Sequence, residues 1–520
     1  MSTTPFAKGG EFFSHTPDSM FTVEDFSSDE KLMIETAEDF SRKEVLTRLD
    51  AIDQQERDLM PTLIRKAGEL GFCGIDSPEA HGGLGLGKNL AARILEFLSL
   101  NGSFSVTVGI TSGISQVGLN LFGNEQQQAR YLPSLTSGEQ IGAYALSEPN
   151  SGSDALSMTT RADAQGGKYV LNGTKMWISN AKWADQFLVM AKVGGEKVSA
   201  FVVERDFPGV RVEREEHKMG LKGSSTARLV LENAEVPAEN MLWEEGKGHY
   251  IAFNALNLGR FKLSSMSIGP AREALRVASI YASERKQFGQ SLSSFGLIQK
   301  KLALMAMQFY VSESMIYRTG ALIDSAFDAR PDGSIASNQA AASEHAIECS
   351  CCKVFSTEAE HFIVDEALQI HGGYGFTEEF PVARIYRDAR VSRIYEGTNE
   401  INRVFLADRL MRKGTLTACG DSFISELAGK AFAGAPATLD QVRLGALSDL
   451  VMLSYAEQSA RLRAARFSQF AGLYDLFVNT FNAQAALAYQ AVTGEAVSLP
   501  APRLIDYEAI SAAVVHQGGV

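Results

Sequence analysis

The sequence predicts an α+β fold in which a middle β-sheet region separates two helical regions, with an extra helical unit at the C-terminal end. Three observations predict it: a helical apolar period before residue 142, strand-like runs from there to 245, and a return to the helical period afterwards. The boundaries fall at 1–28 for an N-terminal arm, 29–141 for the first helical region, 142–245 for the sheet, 246–412 for the second helical region and 413–520 for the extension. A chain of 520 residues suggests about three or four packed units.

After the polar arm, Ser27-Ser28-Asp29-Glu30 supplies a helix cap, and Leu32, Met33, Thr36, Ala37 and Phe40 repeat at helical spacing. In the middle region, Lys168-Tyr169-Val170-Leu171, then Asn172-Gly173, then Thr174-Lys175-Met176-Trp177-Ile178 predicts a hairpin with a type I′ turn. Further strands are expected at Phe187 to Val193, Ser199 to Val203 and Arg228 to Leu231, which are rich in β-branched and aromatic residues. Ile251 to Ala326 and Ser337 to Leu368 carry long helical patterns, interrupted at Arg330-Pro331-Asp332-Gly333. Leu444 to Gln469 predicts an Ala-rich helix in the extension.

Composition narrows the function. With 45% apolar and 21% charged residues and 14 prolines, the chain is of ordinary globular type. Lys plus Arg is 49 against Asp plus Glu at 62, a net charge of −13, which excludes general adhesion to nucleic acid. The few arginines at Arg461, Arg463 and Arg466 favour a solvated helix face over a membrane-resting one. An odd set of cysteines, Cys73, Cys349, Cys351, Cys352 and Cys419, fits a reducing compartment. Met1 to Gly10 lacks the apolar core of a signal peptide, and no run reaches the length of a membrane span, so a soluble, cytoplasmic protein is expected.

Five segments carry possible chemistry. Gly82-Gly83-Leu84-Gly85-Leu86-Gly87-Lys88-Asn89 has P-loop spacing, but Asn89 replaces the magnesium-binding hydroxyl and no buried strand precedes it, which favours a glycine-rich loop. His345, Cys349 and Cys352 could share a helix face as zinc ligands, yet no fourth ligand is evident, and core residues are the better reading. Tyr144 to Asp154 joins small hydroxylated residues, glycine and proline at the helix-to-sheet junction: either a turn between regions or a place where backbone N–H groups approach a polar ligand. Gln369-Ile370-His371-Gly372-Gly373-Tyr374-Gly375-Phe376 is either a plain helix end or a helix end with a ligand contact. In Arg393-Ile394-Tyr395-Glu396-Gly397-Thr398-Asn399-Glu400, Glu396 is either a surface carboxylate or, buried beside Tyr395, a base of raised pKa.

In this order, the segments resemble the acyl-CoA dehydrogenase family. Ala145-Leu146-Ser147-Glu148 followed by Gly152-Ser153-Asp154 matches its motif, Trp177-Ile178-Ser179-Asn180 follows at the family distance, and Arg285-Lys286-Gln287-Phe288-Gly289 is similar to its Arg-x-x-Phe-Gly element. The resemblance spans residues from about 30 to about 410. Asn257-Leu258-Gly259-Arg260-Phe261, Phe295-Gly296-Leu297-Ile298-Gln299 and the extension look most like the very-long-chain branch. The resemblance implies a middle β-sheet or barrel domain, a C-terminal four-helix bundle and FAD as cofactor. It implies that Tyr144, Leu146, Ser147, Gly152, Ser153, Trp177, Ile178 and Ser179 line the flavin. Arg285, Gln287, Phe288, Phe295, Gln369, Ile370, Gly372 and Gly373 would reach a flavin bound mainly by a neighbouring subunit, with Thr398 and Glu400 as further contacts, so a homodimer or dimer of dimers is implied. Ser153, Asn257, Arg260 and Gly397 would contact substrate.

The implied reaction is α,β-dehydrogenation of a fatty acyl-CoA to the trans-2-enoyl-CoA, as in fatty acid β-oxidation. An α-proton beside a thioester is weakly acidic, so its removal needs a positioned base and hydrogen bonds to the developing enolate. By resemblance Glu396 is that base, the Glu396 N–H and a flavin hydroxyl hold the carbonyl, and the β-hydride passes to flavin N5. Relatives that carry the glutamate on another helix place it where this chain has Gly259. Gly113 and Gly118, on the stretch expected to floor the acyl pocket, would leave room for a long chain. Electron-transfer flavoprotein is the expected acceptor. An oxygen-using acyl-CoA oxidase or flavin monooxygenase on the same scaffold, and a non-catalytic flavin-binding assembly scaffold, are the competing readings.

Overall fold

The structure, a computed structural model, describes residues 9–413, 422–436 and 438–517. Cys419, Gly414 and all but the last two residues of the Met1 to Gly10 segment lie outside the described residues. Packing gathers the chain into two compact units. One comprises Ser28–Lys262 and Ala326–Ala342; the other comprises the described parts of Met1–Ser27, Leu263–Ser325 and Ser343–Val520. Length alone suggests more units, but the arm, the second helical region and the extension share a core.

In the first unit, the Ser28–Phe40 helix buries Ile34, Ala37 and Phe40. Leu32 is exposed: two residues before Ile34, it sits about 200° away around the helix and off the core face. The helices Gly102–Gly109 and Ser115–Phe122 are joined by a π turn, Ile110–Ile114, in which Gly113 leaves helical geometry.

The sheet has eight strands: β1 Gly142–Ala145, β2 Arg161–Gln165, β3 Lys168–Ser179, β4 Gln186–Val193, β5 Lys197–Glu204, β6 Val210–Glu215, β7 Thr226–Pro237 and β8 Met241–Leu242. Its order is β6-β7-β3-β2-β4-β5-β8, with β1 parallel to β4. Leu171, Ile178, Phe187, Val189, Phe201, Leu229 and Val236 fill its core. The hairpin expected at Asn172-Gly173 does not form, because β3 runs straight through it. Gly173 instead marks a register shift against β7, and a Cβ there would come 2.4 Å from Thr160 Oγ1, so the glycine serves close approach. The actual turn between β2 and β3 is Gly166-Gly167, with φ +55 and +84, the pair of positive angles a type I′ turn needs.

In the second unit, a two-stranded ribbon, β9 Lys286–Gln287 and β10 Gln290–Ser291, interrupts the helices Gly248–Glu284 and Gly296–Asp328. Ala346–His371, Pro381–Ala389 and Asn399–Met411 follow, then the extension helices Phe423–Gly434, Gln441–Arg466, Ala471–Thr493 and Tyr507–Gln517. The arm is less polar in place than in sequence. Phe12 packs on Tyr455 with centroids 4.5 Å apart, Phe13 meets Phe432 at 5.4 Å, and Gln458 Nε2 donates to the Phe12 carbonyl at 3.1 Å. The extension arginines face protein: Arg463 bridges Glu24 at 2.6 Å and Glu313 at 2.8 Å, Arg466 pairs with Asp25 at 2.5 Å, and Arg461 with Glu457 at 3.2 Å. Among the described residues, no helix is long and apolar enough to cross a membrane.

Two segments singled out by sequence resolve structurally. Lys88 of the glycine-rich loop is directed inward, 3.1 Å from Asp76 Oδ2, and Lys262 meets Asp76 Oδ1 at 3.0 Å, so no phosphate cradle forms. Cys349, Cys351 and Cys352 are buried, and burial pushes the Cys352 thiol up to about 12 and holds Cys351 well above the usual thiol range. Thiols held neutral are poor ligands, and among the described residues no group of three or more His, Cys, Asp or Glu is placed to hold a metal.

Candidate active site

In the first unit, β1 delivers Tyr144 and Ala145 to residues 146–154. Beneath that segment Lys175 of β3 is fully buried, and its Nζ donates to the Leu146 carbonyl at 3.1 Å and to Glu148 Oε1 at 2.8 Å. Glu148 also accepts from Thr159 N at 2.6 Å, Thr159 Oγ1 at 2.8 Å and Thr160 N at 3.0 Å. Burial brings Lys175 down to about 8 although Glu148 opposes it; burial would raise Glu148, but Lys175 and the threonine donors bring it to about 2. The pair fixes the backbone of the loop from below.

Above it, Glu148 and Ser151 exchange backbone hydrogen bonds at 2.9 and 3.1 Å, turning Gly152 and Ser153 outward; a Cβ on Gly152 would meet nothing within 4 Å. Met176 N donates to the Ser147 carbonyl at 2.9 Å, tying β3 to the loop. Next in sequence, Trp177 takes φ +62 where β3 slips register against β7, and it is 58% exposed. A tryptophan in left-handed backbone with its ring in the open is costly unless the ring has a task. The Leu146 and Ile178 side chains are buried, so those two residues offer a ligand their backbone only; Ser179 is half-buried. Asn180 Nδ2 reaches Thr107 O, Thr111 Oγ1 and Gly142 O at 3.2, 3.3 and 3.0 Å and locks the end of β3. One turn apart on the Gly248–Glu284 helix, Arg260 Nη1 donates to Asn257 Oδ1 at 3.4 Å, and both residues are buried. Gly118 opens no space: a Cβ there would stand 2.6 Å from Leu188 Cδ2, and one on Gly113 would lie 3.5 Å from Lys262 Cδ. Gly118 thus admits a neighbouring side chain instead of leaving open pocket floor, whereas Gly113 stands at ordinary contact distance from Lys262.

In the second unit, Glu396 has φ +55, followed by Gly397 at φ +80. Asn402 Nδ2 donates to the carbonyls of Gly397 at 2.8 Å and Thr398 at 3.1 Å, and lies 3.5 Å from that of Glu396. The buried Lys353 Nζ donates to Gly397 O at 2.9 Å and Asn399 Oδ1 at 2.6 Å. Thus a left-handed turn carries a half-buried carboxylate, whose Oε2 is a buried atom, and is pinned from behind. Burial first, and then negative charge on Glu360, Glu396 or Asp388, holds the Tyr395 phenol well above its ordinary value.

The same unit holds a cleft of about 470 Å³ lined by Tyr281, Arg285, Gln287, Leu292, Ile370, His371, Gly372, Gly373, Tyr374 and Thr377. Gly372 (φ 59, ψ −139) occupies backbone space that other residues avoid, and a Cβ on Gly372 or Gly373 would meet nothing within 4 Å. A guanidinium, an amide and bare glycine backbone suit a polyanionic ligand. Tyr281 and His371, stacked with centroids 4.3 Å apart, line the cleft, and of the two Tyr281 was not among the sequence candidates. His371 sits inside a quoted motif, whereas Tyr281 follows no local signal. Gln369 and Phe295 do not line the cleft; Phe288, at φ +51, is 95% exposed and meets Phe295 edge-on at 6.2 Å. Thr398 Oγ1 accepts from Ile401 N at 3.2 Å as a helix cap, and Glu400 is exposed in that helix's first turn.

Three family models match: the N-terminal, middle and C-terminal domains of acyl-CoA dehydrogenase, at residues 27–139, 143–234 and 246–411. The chain belongs to the acyl-CoA dehydrogenase family. It is thereby an oxidoreductase, as the motif order predicts. A probable acyl-CoA dehydrogenase of Bacillus subtilis is 48% identical over 78% of this chain and 70% of its own length. The human very long-chain specific acyl-CoA dehydrogenase is 41% identical over 65% of this chain and 51% of its own, so the chain spans about half the length of that relative. An acyl-CoA dehydrogenase from Bacillus anthracis, solved in complex with FAD, superposes with a TM-score of 0.92 at 39% identity, covering 98% of this chain and 99% of that one. That match includes the extension helices.

Proposed function

We propose that this chain is an FAD-dependent dehydrogenase of long-chain fatty acyl-CoA, forming the trans-2-enoyl-CoA in fatty acid β-oxidation with Glu396 as base and electron-transfer flavoprotein as acceptor. The observation that carries it is the Glu396 turn: a non-glycine residue held at φ +55 by Lys353 and Asn402, which hold its neighbours' carbonyls rather than its carboxylate. The exposed Trp177 ring and the open backbone at Gly152 fit a flavin, and the Arg285, Gln287 and Gly372-Gly373 cleft fits a dinucleotide held from a second subunit of a homodimer. FAD, when bound, supplies the two-electron acceptor.

The protein's own part is proton transfer and positioning. Glu396 takes the α-proton and keeps it; its N–H, in a left-handed turn that precedes the Asn399–Met411 helix, suits an enolate oxygen. Ser153, Asn257, Arg260 and Gly397 are the substrate contacts. The preference for long chains is supported by the identity to the very long-chain relative, not by Gly113 and Gly118.

Anaerobic addition of palmitoyl-CoA and octanoyl-CoA to the purified flavoprotein tests cofactor, reaction and length together. Bleaching of the flavin, faster with palmitoyl-CoA, is expected; Glu396→Gln should bind flavin and lose bleaching by about 10²–10⁴-fold. Native-rate bleaching in that variant defeats the base assignment, and peroxide release in air without added acceptor replaces the dehydrogenase reading with the oxidase one.

A further inference from the structure

Two turns along the Ala346–His371 helix from Lys353 lies Glu360, buried and given no task by the chemistry above. Lys353, Thr357 and Glu360 stand at i, i+4 and i+7, one face of the helix. The first two hold the downstream end of the Glu396 turn, Lys353 through Gly397 O and Asn399 Oδ1, and Thr357 Oγ1 through Asn399 Nδ2 at 3.1 Å. Glu360 holds the upstream end: its Oε2 is 2.6 Å from Oγ of Ser392, a buried residue of the short turn Arg390–Arg393.

Ser392 Oγ is also 2.8 Å from the Ala389 carbonyl oxygen. A serine hydroxyl has one proton, and a carbonyl can only accept. With that proton on Ala389 O, the 2.6 Å contact needs a proton from the carboxyl. A charged Glu360 would leave one of these short oxygen pairs without a proton. It would also be a buried anion whose hydrogen bonding among the described residues is to a neutral hydroxyl.

We propose that Glu360 is a positioning residue for Glu396: as a neutral carboxylic acid it donates its proton to Ser392 Oγ, which donates to Ala389 O, fixing the segment that leads into the catalytic turn. This rests on Glu396 being the base. Burial, and then Asp388 on the neighbouring Pro381–Ala389 helix, favours the protonated form, against Ser392 and Lys353, while the adjacent Tyr395 phenol stays neutral. A raised folded-state pKa means the acid form persists to higher pH than in the unfolded chain and is lost as pH rises through the folded value. Ionisation would then remove the donor and set a second negative charge near the base.

Difference infrared spectroscopy of the holoenzyme, native against Glu360→Gln at pH 7, reads the proton directly. A protonated-carboxyl band is expected, moving to higher frequency in Ser392→Ala as the acceptor is lost; carboxylate bands alone overturn the proposal. In kinetics, Glu360→Ala should lower kcat by about tenfold or more with KM little changed. Glu360→Gln, which keeps an N–H donor, should restore most of that loss and lack the alkaline fall of kcat expected of the native enzyme. A Glu360→Gln enzyme as slow as Glu360→Ala, or sharing the native alkaline limb, refutes the role. Should Glu360→Ala fail to fold, the infrared band and the Glu360→Gln profile still decide. Glu396→Gln separates the two ideas: bleaching that survives it defeats the base reading, while the infrared band still answers for Glu360.

Discussion

The Trp177 loop and the Glu396 turn both display a strained side chain, but they are held in different ways. Under the loop, a single buried ion pair, Lys175 with Glu148, carries the Leu146 carbonyl and the Thr159 and Thr160 amides together. Behind the turn the work is shared: Lys353 and Asn402 both hold the Gly397 carbonyl, Asn402 also holds that of Thr398, and Ser392 holds that of Ala389. A clamp made of one charge pair fails at once when either charge is removed, whereas a distributed clamp loosens in steps.

The largest effect should therefore come from Lys175→Met. Breaking a buried pair leaves Glu148 charged and unpaired, and about 3–5 kcal/mol of stability should be lost in denaturant unfolding. Lys175→Met with Glu148→Gln should recover part of that loss; equal losses in the single and double variants would show that shape, not charge, matters here. The pair also gives the loop its pH response. Glu148, lowered from 4.5 to about 2, contributes stability above pH 4.5 that is lost as pH falls towards 2. Lys175 is shifted the other way in effect: lowered from 10.5 to about 8, it is neutral in the folded protein over that window while the unfolded chain binds a proton, so its own contribution to stability rises with pH. The clamp itself nevertheless loosens above about 8. Flavin release should begin there while circular dichroism stays native; release only on unfolding would contradict the role of the pair.

Asn402→Ala should cost less, about 1–3 kcal/mol, the penalty for unsatisfied carbonyls that the buried amide now serves. Because Lys353 still holds Gly397 O, the turn should keep its form part of the time. The expected result is a lower kcat with full flavin content, and a loss of flavin would mean that the two clamps are not independent.

How much of this was legible in sequence follows from the same contrast. Helix, sheet and helix were readable because amphipathic period and β-branched runs are local properties, and the family motifs lie in contiguous segments. The straight course of β3 was not, since Asn172-Gly173 fits a turn locally and only the approach of Thr160, from the segment that leads into β2, reveals the bulge. The inward aim of Lys88 depends on Asp76 and Lys262, and the burial of Phe12 and Phe13 depends on helices more than 400 positions away. Glu396 could be named from its motif, but the proton on Glu360 could not: it depends on Ser392 and Ala389 meeting one helix face.

The smallest effects should come from relieving the strain itself. Trp177→Gly and Glu396→Gly each remove a side chain from left-handed backbone, where φ is +62 and +55. Relief should return about 1–2 kcal/mol per residue, and the freedom glycine adds to the unfolded chain should cost about 0.5–1 kcal/mol. The two nearly cancel, so the unfolding free energy of the flavin-free protein should shift by less than about 1 kcal/mol in either variant. Against that near-neutral background, Trp177→Gly should weaken flavin binding and leave the Glu396 turn untouched, while Glu396→Gly should bind flavin normally and fail to bleach. If either variant instead loses several kcal/mol without flavin, its side chain is packed rather than displayed, and the strain is structural.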